Sequence, residues 1–512
     1  MRPLTLLALC LLPVAAPAQN FCNQLRALTN DPSVAAAHWG VSVTTLEGTS
    51  LCGINQAQLF RPASNAKLFT AVTAIALLGP DHTTPTHLYT SSPASDPTTL
   101  TGDLTLAGTG SGFLSDRRMP YTPASQVPPN SPRPHNPLED MADTLAATGL
   151  RHITGDIIGD DTAWPYEPYA PDWSLDDTTW GYGAPVSALS IVDNKLALTV
   201  NPGPAPGSPA TATLDPAAPF YHLDTDVRTV PAKAQASLGI DRAPGSRNVR
   251  LFGTVALGAP HEEDLAIDDP AEYAAILLKQ LLESRGITID GTAHAMHRLS
   301  SITATYEEQE NKPLPGGFNS HPAPNACTAP CRVLTSTSSP TLLDDVALTL
   351  KVSQNLHAEL LLHQLGKTFA DDGSTAQGAR VVRQYLLTAG LPKSDFLLFD
   401  GSGLSGHDLV TPRSLTQLLV FAARQPWYPG FKAALPIGGT DGSLAARFNT
   451  RLKGRVFAKT GTLGESRALS GYVTAASGNT LVFSVLVDNH VPTGSADRAL
   501  MDRIVETIAA QN

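Results

Sequence analysis

The stretch Ser64-Asn65-Ala66-Lys67 opens an apolar helical pattern that runs to Leu78, where Gly79-Pro80 ends it. Residues three positions apart at a helix start share one face, so the Lys67 amine can reach the Ser64 hydroxyl. Burial would lower the pKa of this lysine toward that of a useful base, which a serine nucleophile needs. Taken alone, the same four residues more often form a helix N-cap followed by a solvated lysine.

A second polar group, Ser353-Gln354-Asn355, lies in a break between two apolar helical patterns, 342–352 and 356–365. The serine supplies a hydroxyl for proton transfer, and the asparagine supplies an amide that can hold a substrate carbonyl. In isolation these residues describe a helix-capping turn. Together with Ser64 and Lys67 they favour a catalytic interpretation.

A third group, Lys459-Thr460-Gly461-Thr462, follows an apolar run and precedes two strand patterns, 468–475 and 480–487. This position predicts a sheet edge beside the site. The lysine can hold a substrate carboxylate, and the glycine leaves room for a substrate backbone alongside the strand. A strand amide can also serve as an oxyanion donor. The alternative for this group is an ordinary strand end.

The three groups occur in the order S-x-x-K, S-x-N, K-T-G, the set found in penicillin-binding proteins and class A β-lactamases, with Gln354 replacing the usual middle Asp. The sequence resembles the D-alanyl-D-alanine carboxypeptidase/endopeptidase family, the S13 peptidases or class C low-molecular-mass penicillin-binding proteins. The resemblance covers nearly the whole chain after residue 18. Lys67 and Ser353 are 286 positions apart, far more than a single-domain β-lactamase allows.

The resemblance implies roles for individual residues. Ser64 is expected to be the acylated nucleophile and Lys67 its base, and the backbone N–H groups of Ser64 and Thr462 are expected to form the oxyanion hole. Asp177 matches an acidic residue that the family places near the side-chain amine of the substrate. The remaining expected contributors to proton transfer and substrate binding are Ser353, Asn355, Lys459, Thr460, Gly461 and Thr462.

The resemblance also implies the architecture, an α/β (α+β) fold with a β-lactamase/transpeptidase-like domain whose antiparallel sheet is flanked by helices. Residues 19–80 and 296–512 are expected to form this domain. Short β-like runs separated by Pro, Gly, Ser and Asp predict one or two inserted, mostly β domains over 81–295. A Pro-, Ser- and Asn-rich stretch at about 311–340 predicts a long surface loop that contains cysteines.

The N-terminus predicts export to a periplasmic or extracellular compartment. Residues 1–18 read as a signal peptide, with an apolar run too short to span a bilayer and small residues at the cleavage site. Four cysteines remain after cleavage, an even number in an oxidising compartment. Three pairings are open, of which spacing favours Cys22 with Cys52 and Cys327 with Cys331. No later run is long enough to span, which leaves peripheral contact as the mode of any membrane association.

The amino-acid composition reduces the classes of partner that the chain is expected to bind. The 512 residues include 35 Lys and Arg against 46 Asp and Glu, a net charge of −11, which disfavours nucleic acid. The sequence holds no H-E-x-x-H zinc motif, and neither a metal nor a cofactor is expected. By the resemblance, the expected ligands are peptidoglycan stem peptides and β-lactams.

Two glycine-containing stretches, Asp400–Ser405 and Gly439–Leu444, also match family motifs and suggest tight loops near the site. Where relatives usually carry Arg after the first stretch, this chain has Gly406 and then His407, so one cationic substrate contact is missing. Two rival functions remain: a serine β-lactamase, and a non-catalytic cell-wall peptide-binding protein. The length of the chain argues against the first, and the presence of both Ser64 and Lys67 argues against the second.

Overall fold

The computed structural model describes residues 16–93, 96–314, 316–321, 331–370, 372–491 and 494–510. Residues 1–15 of the expected signal peptide lie outside this part of the chain, and helix α1 begins at Ala16. The α-helices are α1 (Ala16–Thr29), α2 (Ala66–Leu78), α3 (Pro137–Ala147), α4 (Pro270–Ser284), α5 (Tyr306–Glu310), α6 (Leu342–Lys351), α7 (Asn355–Phe369), α8 (Thr375–Thr388), α9 (Pro412–Ala423), α10 (Tyr428–Ala434) and α11 (Ala496–Ala510).

The β-strands of the described residues are taken in chain order. They are β1 (His38–Thr45), β2 (Ser50–Ile54), β3 (Pro85–Thr90), β4 (Thr99–Leu100), β5 (Leu104–Ala107), β6 (His152–Ile153), β7 (Ile157–Pro165), β8 (Lys195–Asn201), β9 (Thr211–Asp215), β10 (His222–Val230), β11 (Leu238–Asp241), β12 (Asn248–Ala256), β13 (His261–Ala266), β14 (Thr288–Ile289), β15 (Ala293–Arg298), β16 (Arg332–Ser338), β17 (Phe396–Leu397), β18 (Leu409–Val410), β19 (Val456–Leu463), β20 (Ser466–Thr474) and β21 (Thr480–Asp488).

The main sheet joins the two ends of the chain. Its order is β19-β20-β21-β1-β2, and every neighbouring pair is antiparallel. Alternation along β21 sends Leu486 into the core beneath α2 and α6–α10, and sends Val485 and Val487 into the core beneath α1 and α11. The sheet is therefore covered by helices on both faces, which confirms the expected fold class.

Helix starts in this fold follow from capping residues. The side chain of Asp269 accepts a hydrogen bond from the Glu272 amide at the start of α4, and Pro270 follows it. Thr411 does the same for Ser414 at the start of α9, again before a proline. These caps satisfy amides that have no partner inside the helix, and proline is suited to the first helical position. None of the helices in the described residues is long and apolar enough to cross a membrane.

The segment between α2 and α6 forms its own sheets, chiefly β15-β7-β5-β3-β16 and the three-stranded sheets β10-β12-β11 and β13-β8-β9. It also contains α3 and α4, which share its apolar core with the strands. Strand β16 lies within the stretch predicted as a loop over 311–340, so that prediction is wrong for Arg332–Ser338. Its Ser- and Thr-rich sequence reads as a turn, but pairing with β3 supplies the backbone hydrogen bonds.

A disulfide links Cys22 of α1 to Cys52 of β2, with Cα atoms 5.3 Å apart, as the spacing predicted. Cys331 is also disulfide-bonded. The predicted partner Cys327 lies outside the described residues. The covalent link holds α1 against β2, the strand at one edge of the main sheet. Cys22 and Cys52 also belong to the same buried apolar cluster.

Candidate active site

Ser64 and Lys67 lie where a short 3-10 turn, Ala63–Asn65, leads into α2. The Lys67 Nζ donates to Ser64 Oγ at 2.9 Å, to Asn355 Oδ1 at 2.6 Å and to the Ser402 carbonyl at 2.7 Å. The Lys67 side chain is fully buried, whereas Ser64 is half-buried. The geometry therefore excludes the solvated-lysine interpretation of this stretch.

The surroundings of Lys67 push its pKa in opposite directions. Burial lowers the pKa of Lys67 to about 8, against the opposing charges of Asp400, Glu359 and Asp408. An amine with such a pKa is partly neutral near pH 7 and can accept a proton from an adjacent hydroxyl. Lys67 thus has the position and the proton affinity of a general base for Ser64.

The turn Ser353-Gln354-Asn355 joins α6 to α7. Ser353 adopts a left-handed backbone conformation with φ of 60°. The Gln354 side chain caps α7 by accepting a hydrogen bond from the Leu356 amide, and its amide group donates to Asp193 Oδ2 at 2.9 Å. This contact gives the unusual middle residue a function, because a carboxylate at position 354 would face the carboxylate of Asp193.

Lys459 reaches the same turn from strand β19. Its Nζ donates to Ser353 Oγ at 2.8 Å and to the Thr460 carbonyl at 2.7 Å. Burial and the nearby positive charge of Lys67 lower the pKa of Lys459 well below its usual value. The Asn65 side chain donates to the Lys459 carbonyl at 3.1 Å, which holds β19 beside the Ser64 turn.

Gly461 allows β19 to approach the nucleophile turn. A Cβ atom at this position would lie 2.9 Å from the Pro62 carbonyl oxygen and 3.1 Å from the Ala63 Cβ. Both contacts are tighter than ordinary van der Waals distances, so a larger residue would separate the two elements. The glycine in the K-T-G group is therefore required for close packing of the site itself.

The predicted residues meet at one cavity of about 310 Å³. Its lining includes Ser64, Ser353, Asn355, Thr462 and Asp177. Lys67 and Lys459 lie beneath it, each bonded to a serine of the cavity wall. Thr460 lies to one side, where its hydroxyl shares a 2.7 Å hydrogen bond with Ser443 Oγ.

The segment between α2 and α6 supplies one wall of this cavity. Asp177 belongs to the 3-10 turn Leu175–Thr179, and its Oδ1 accepts a 2.7 Å hydrogen bond from the Tyr182 hydroxyl. The Tyr182 carbonyl in turn accepts from Asn355 Nδ2 at 2.8 Å. Tyr182 was not predicted from the sequence, although an aromatic residue between two glycines was a usable signal.

Asp400 fixes the conformation of the loop that contains Ser402, whose carbonyl contacts Lys67. Its carboxylate accepts hydrogen bonds from the amides of Ser402, Gly403, Leu404 and Ser405 and from the Trp173 indole, at 2.6–3.1 Å. Gly403 lies so close to the nucleophile turn that a Cβ there would be 1.8 Å from the Ala63 carbonyl oxygen. This prediction of a tight loop near the site is confirmed.

Two further buried carboxyls, Glu359 and Asp408, lie near Lys67 and were not anticipated. Burial and the charge of Asp400 raise the pKa of Glu359 to about 8 and that of Asp408 well above its ordinary value. The Gly401 amide donates to Glu359 at 2.9 Å and the Phe399 amide to Asp408 at 2.6 Å. The raised pKa favours the neutral form of each of these two carboxyls, which limits the negative charge around Lys67.

The sequence of the chain matches a known protein family. The model of the D-Ala-D-Ala carboxypeptidase 3 (S13) family matches residues 21–315 and 322–511. The chain belongs to the S13 family. The resemblance seen in the sequence is thereby confirmed over nearly its whole length.

Relatives in the S13 family align along most of the chain. The D-alanyl-D-alanine carboxypeptidase of Actinomadura sp. (strain R39) is 31% identical over 501 residues, covering 95% of this chain and 84% of that protein. The penicillin-sensitive carboxypeptidase A of Dictyostelium discoideum is 24% identical and covers 92% of this chain and 87% of its own. The crystal structure of penicillin-binding protein 4 from Haemophilus influenzae shares the fold, with a TM-score of 0.75, 21% identity and coverage of 94% and 98%.

The Gly439–Leu444 motif of this S13 protein lies behind the K-T-G strand. Asp441 accepts two hydrogen bonds from Lys351 Nζ, at 2.8 and 2.6 Å, and so joins the motif to the end of α6. Ser443 holds the Thr460 hydroxyl. The motif therefore supports the site from outside the cavity.

The departure at Gly406 has a local structural reason. A Cβ atom at Gly406 would lie 2.7 Å from Asp172 Oδ2. His407 Nδ1 lies 3.7 Å from the same carboxylate oxygen. A side chain at position 406 would therefore require the Asp172 carboxylate to move, and the loop carries no arginine toward the cavity.

Proposed function

We propose that this S13-family protein hydrolyses the D-Ala-D-Ala bond of peptidoglycan stem peptides through an acyl-enzyme on Ser64, and that penicillin acylates the same atom. The observation that carries the proposal is the 2.9 Å hydrogen bond from the buried Lys67 Nζ to Ser64 Oγ, beside an open cavity. Relatives named as D-alanyl-D-alanine carboxypeptidase and penicillin-sensitive carboxypeptidase support the substrate class.

In the first step Ser64 Oγ attacks the carbonyl carbon of the scissile peptide bond, and neutral Lys67 accepts its proton. The resulting oxyanion accepts hydrogen bonds from the backbone amides of Ser64 and Thr462, which both line the cavity. Collapse of the tetrahedral intermediate breaks the C–N bond and leaves an ester on Ser64.

The leaving amine needs a proton at that moment. Lys459 Nζ donates to Ser353 Oγ, so the Ser353 hydroxyl proton remains available to the cavity. Ser353 can pass this proton to the amine of the departing D-alanine and regain one from Lys459 Nζ. The proton that Lys67 took from Ser64 then replaces the one lost by Lys459, which leaves Lys67 neutral again. Water then attacks the ester, with Lys67 again as base, and Ser64 is released.

Substrate binding uses the groups that these proton transfers leave free. The Asn355 Oδ1 accepts a hydrogen bond from Lys67, and one hydrogen of the Asn355 amide is donated to the Tyr182 carbonyl. Its second amide hydrogen can hold a substrate carbonyl. Thr462 and the Lys459 amine are suited to the terminal carboxylate, with Thr460 in support. Asp177 is suited to an amine on the substrate side chain.

The test is intact-mass spectrometry of the purified protein after incubation with benzylpenicillin. The expected result is a penicilloyl adduct on the wild type and on Ser477→Ala, a control serine in an exposed turn, but not on Ser64→Ala. D-Alanine release from a stem pentapeptide should follow the same pattern. An unmodified protein beside intact drug would favour the binding-protein alternative, and rapid drug hydrolysis would favour a β-lactamase.

A cross-linked muropeptide tests endopeptidase action, since an amine on a second stem peptide could leave in place of D-alanine. The product balance between the two substrates measures which leaving group the cavity prefers. Cleavage of the pentapeptide alone restricts the function to the carboxypeptidase reaction.

We further propose that the protein is exported and loses residues 1–18. The Cys22–Cys52 disulfide supports this, because disulfides persist in oxidising compartments. N-terminal sequencing of protein recovered from its native cells should then begin at Gln19. An intact Met1 in that sample would contradict the proposal.

A further inference from the structure

A second cavity, of about 440 Å³, lies between the end of strand β15, the start of β3 and helix α7. It shares none of its lining residues with the cavity at Ser64. Its volume is in the range of pockets that hold small ligands. Nothing in the proposed reaction uses it.

Two cations face this cavity without a counter-ion among the residues that the structure describes. Arg298 ends β15 and Lys367 lies on α7, and both line the cavity. Neither side chain forms an ion pair or hydrogen bond with any described residue. By contrast, Lys351 on the neighbouring helix is held by both oxygens of Asp441.

The two charges also act on each other. Burial and the positive charge of Arg298 both lower the pKa of Lys367, and no carboxylate of the described residues offsets them. Placing like charges together is unfavourable, and an anion between them would offset the repulsion. The arrangement is the more notable because the whole chain carries 46 acidic against 35 basic residues.

Neutral polar groups complete the wall. Buried His87 Nδ1 has no hydrogen-bond partner within the described residues. Thr83 and Thr162 also line the cavity and offer hydroxyl groups. Asp160 is the one carboxylate among the described lining residues. One of its oxygens accepts from the Tyr89 hydroxyl at 3.1 Å and the other from the Thr162 amide at 2.9 Å.

We propose that this cavity is a binding site for an oxyanion, the phosphate or carboxylate group of a small ligand, held between Arg298 and Lys367. A guanidinium offers a planar pair of donors that fits such a group, and an ammonium adds a point charge. The anion would separate the two cations and accept hydrogen bonds from the polar wall.

Isothermal titration calorimetry with inorganic phosphate and, separately, with citrate tests the site on the full-length protein. The expected result is saturable binding of at least one of the two anions, weakened about tenfold or more in Arg298→Gln/Lys367→Gln. The control, Lys233→Gln/Arg451→Gln, removes two exposed positive charges elsewhere and should bind as the wild type does. Absence of saturable binding of both anions, or equal binding by the two double variants, would overturn the proposal.

A second measurement needs only the wild-type protein. Acetic anhydride labels accessible neutral amines, and peptide mass mapping reports the extent at each lysine. The anion that binds should slow labelling of Lys367 and leave labelling of exposed Lys233 unchanged. If Lys367 is labelled at the same rate with and without that anion, the cavity is not its binding site.

Discussion

The Nζ atom of Lys67 lies 2.9 Å from the Oγ atom of Ser64 and is fully removed from solvent. The same ammonium group also contacts the Asn355 side chain and the Ser402 carbonyl, so three separate segments of the chain fix its position. Such fixed geometry allows proton transfer without a search for the correct rotamer. The testable consequences concern this atom and the groups that support it.

The rate of acylation by benzylpenicillin should rise with pH and level off above about 8, the pKa of Lys67. The physical reason is that only the neutral amine can accept the Ser64 proton, and burial lowers the pKa into this range. Stopped-flow measurement of acylation between pH 6 and 9.5 gives the profile. A rate that is flat across this range would show that Lys67 is not the base.

Gln354→Ala should slow acylation by about tenfold or more, because the Ser353 turn loses its link to Asp193. In a double-mutant cycle, the effects of Asp193→Asn and Gln354→Ala on the activation free energy of acylation should be coupled by about 1 kcal/mol. Gln417→Ala, on the exposed side of α9, is the matched control and should acylate normally. Purely additive effects of the two changes would mean that the contact does not position the turn.

Asp408→Asn should stabilise the protein at pH 7 to 8 by about 1 to 2 kcal/mol. The folded-state pKa of Asp408 is raised, so folding requires this carboxyl to take up a proton above its unfolded pKa. The stability it contributes is present at low pH and is lost as pH rises above the unfolded pKa of about 4. The advantage of the variant, measured by urea unfolding, should therefore shrink as pH falls toward 4.

Asp400→Asn is the contrasting variant. The Asp400 carboxylate accepts four backbone amide hydrogen bonds and one from Trp173, and an asparagine amide would direct donors at donors. The expected loss is about 2 to 4 kcal/mol of unfolding free energy, together with slower acylation. If both aspartate variants change the unfolding free energy in the same direction, the opposite roles inferred for the two carboxyls are wrong.

Cys22→Ala/Cys52→Ala should lower the unfolding free energy by about 3 to 4 kcal/mol, the value expected for a closed loop of this size. The two cysteines are separated by 30 positions. The acylation rate of the folded protein should stay near that of the wild type, because neither cysteine lies in the catalytic cavity. Urea unfolding and benzylpenicillin labelling of the same samples separate the two effects.

Local patterns in the sequence predicted much of the fold. The apolar spacing after Lys67 predicted α2, and alternation near the C-terminus predicted β20 and β21. These elements are long and strongly patterned, so their own periodicity specifies them. Strand β16 was missed because its Ser- and Thr-rich sequence carries little apolar alternation, and pairing with β3 decides its conformation.

Sequence motifs likewise predicted some residues of the candidate site and not others. The motifs named Ser64, Lys67, Ser353, Asn355 and Lys459, because serine, lysine and asparagine at fixed local spacings carry a chemical meaning. The motifs could not name Tyr182, Asp193 or Glu359, whose contacts with the site are made across more than 150 positions or through a buried charge cluster. Tyr182 stands between two glycines, which was a usable signal, whereas nothing in the local sequence of Asp193 or Glu359 distinguishes them from ordinary structural residues.

The sequence by itself determined the reactive groups, the order of the three motifs and the family, because these depend on residue identity and short-range spacing. Only the tertiary structure decided the proton affinity of Lys67, the close approach of β19 through Gly461 and the position of Asp177 on the cavity wall. Those properties depend on burial and on distances between segments remote in the chain. They arise when the main sheet and the segment between α2 and α6 pack around one cavity.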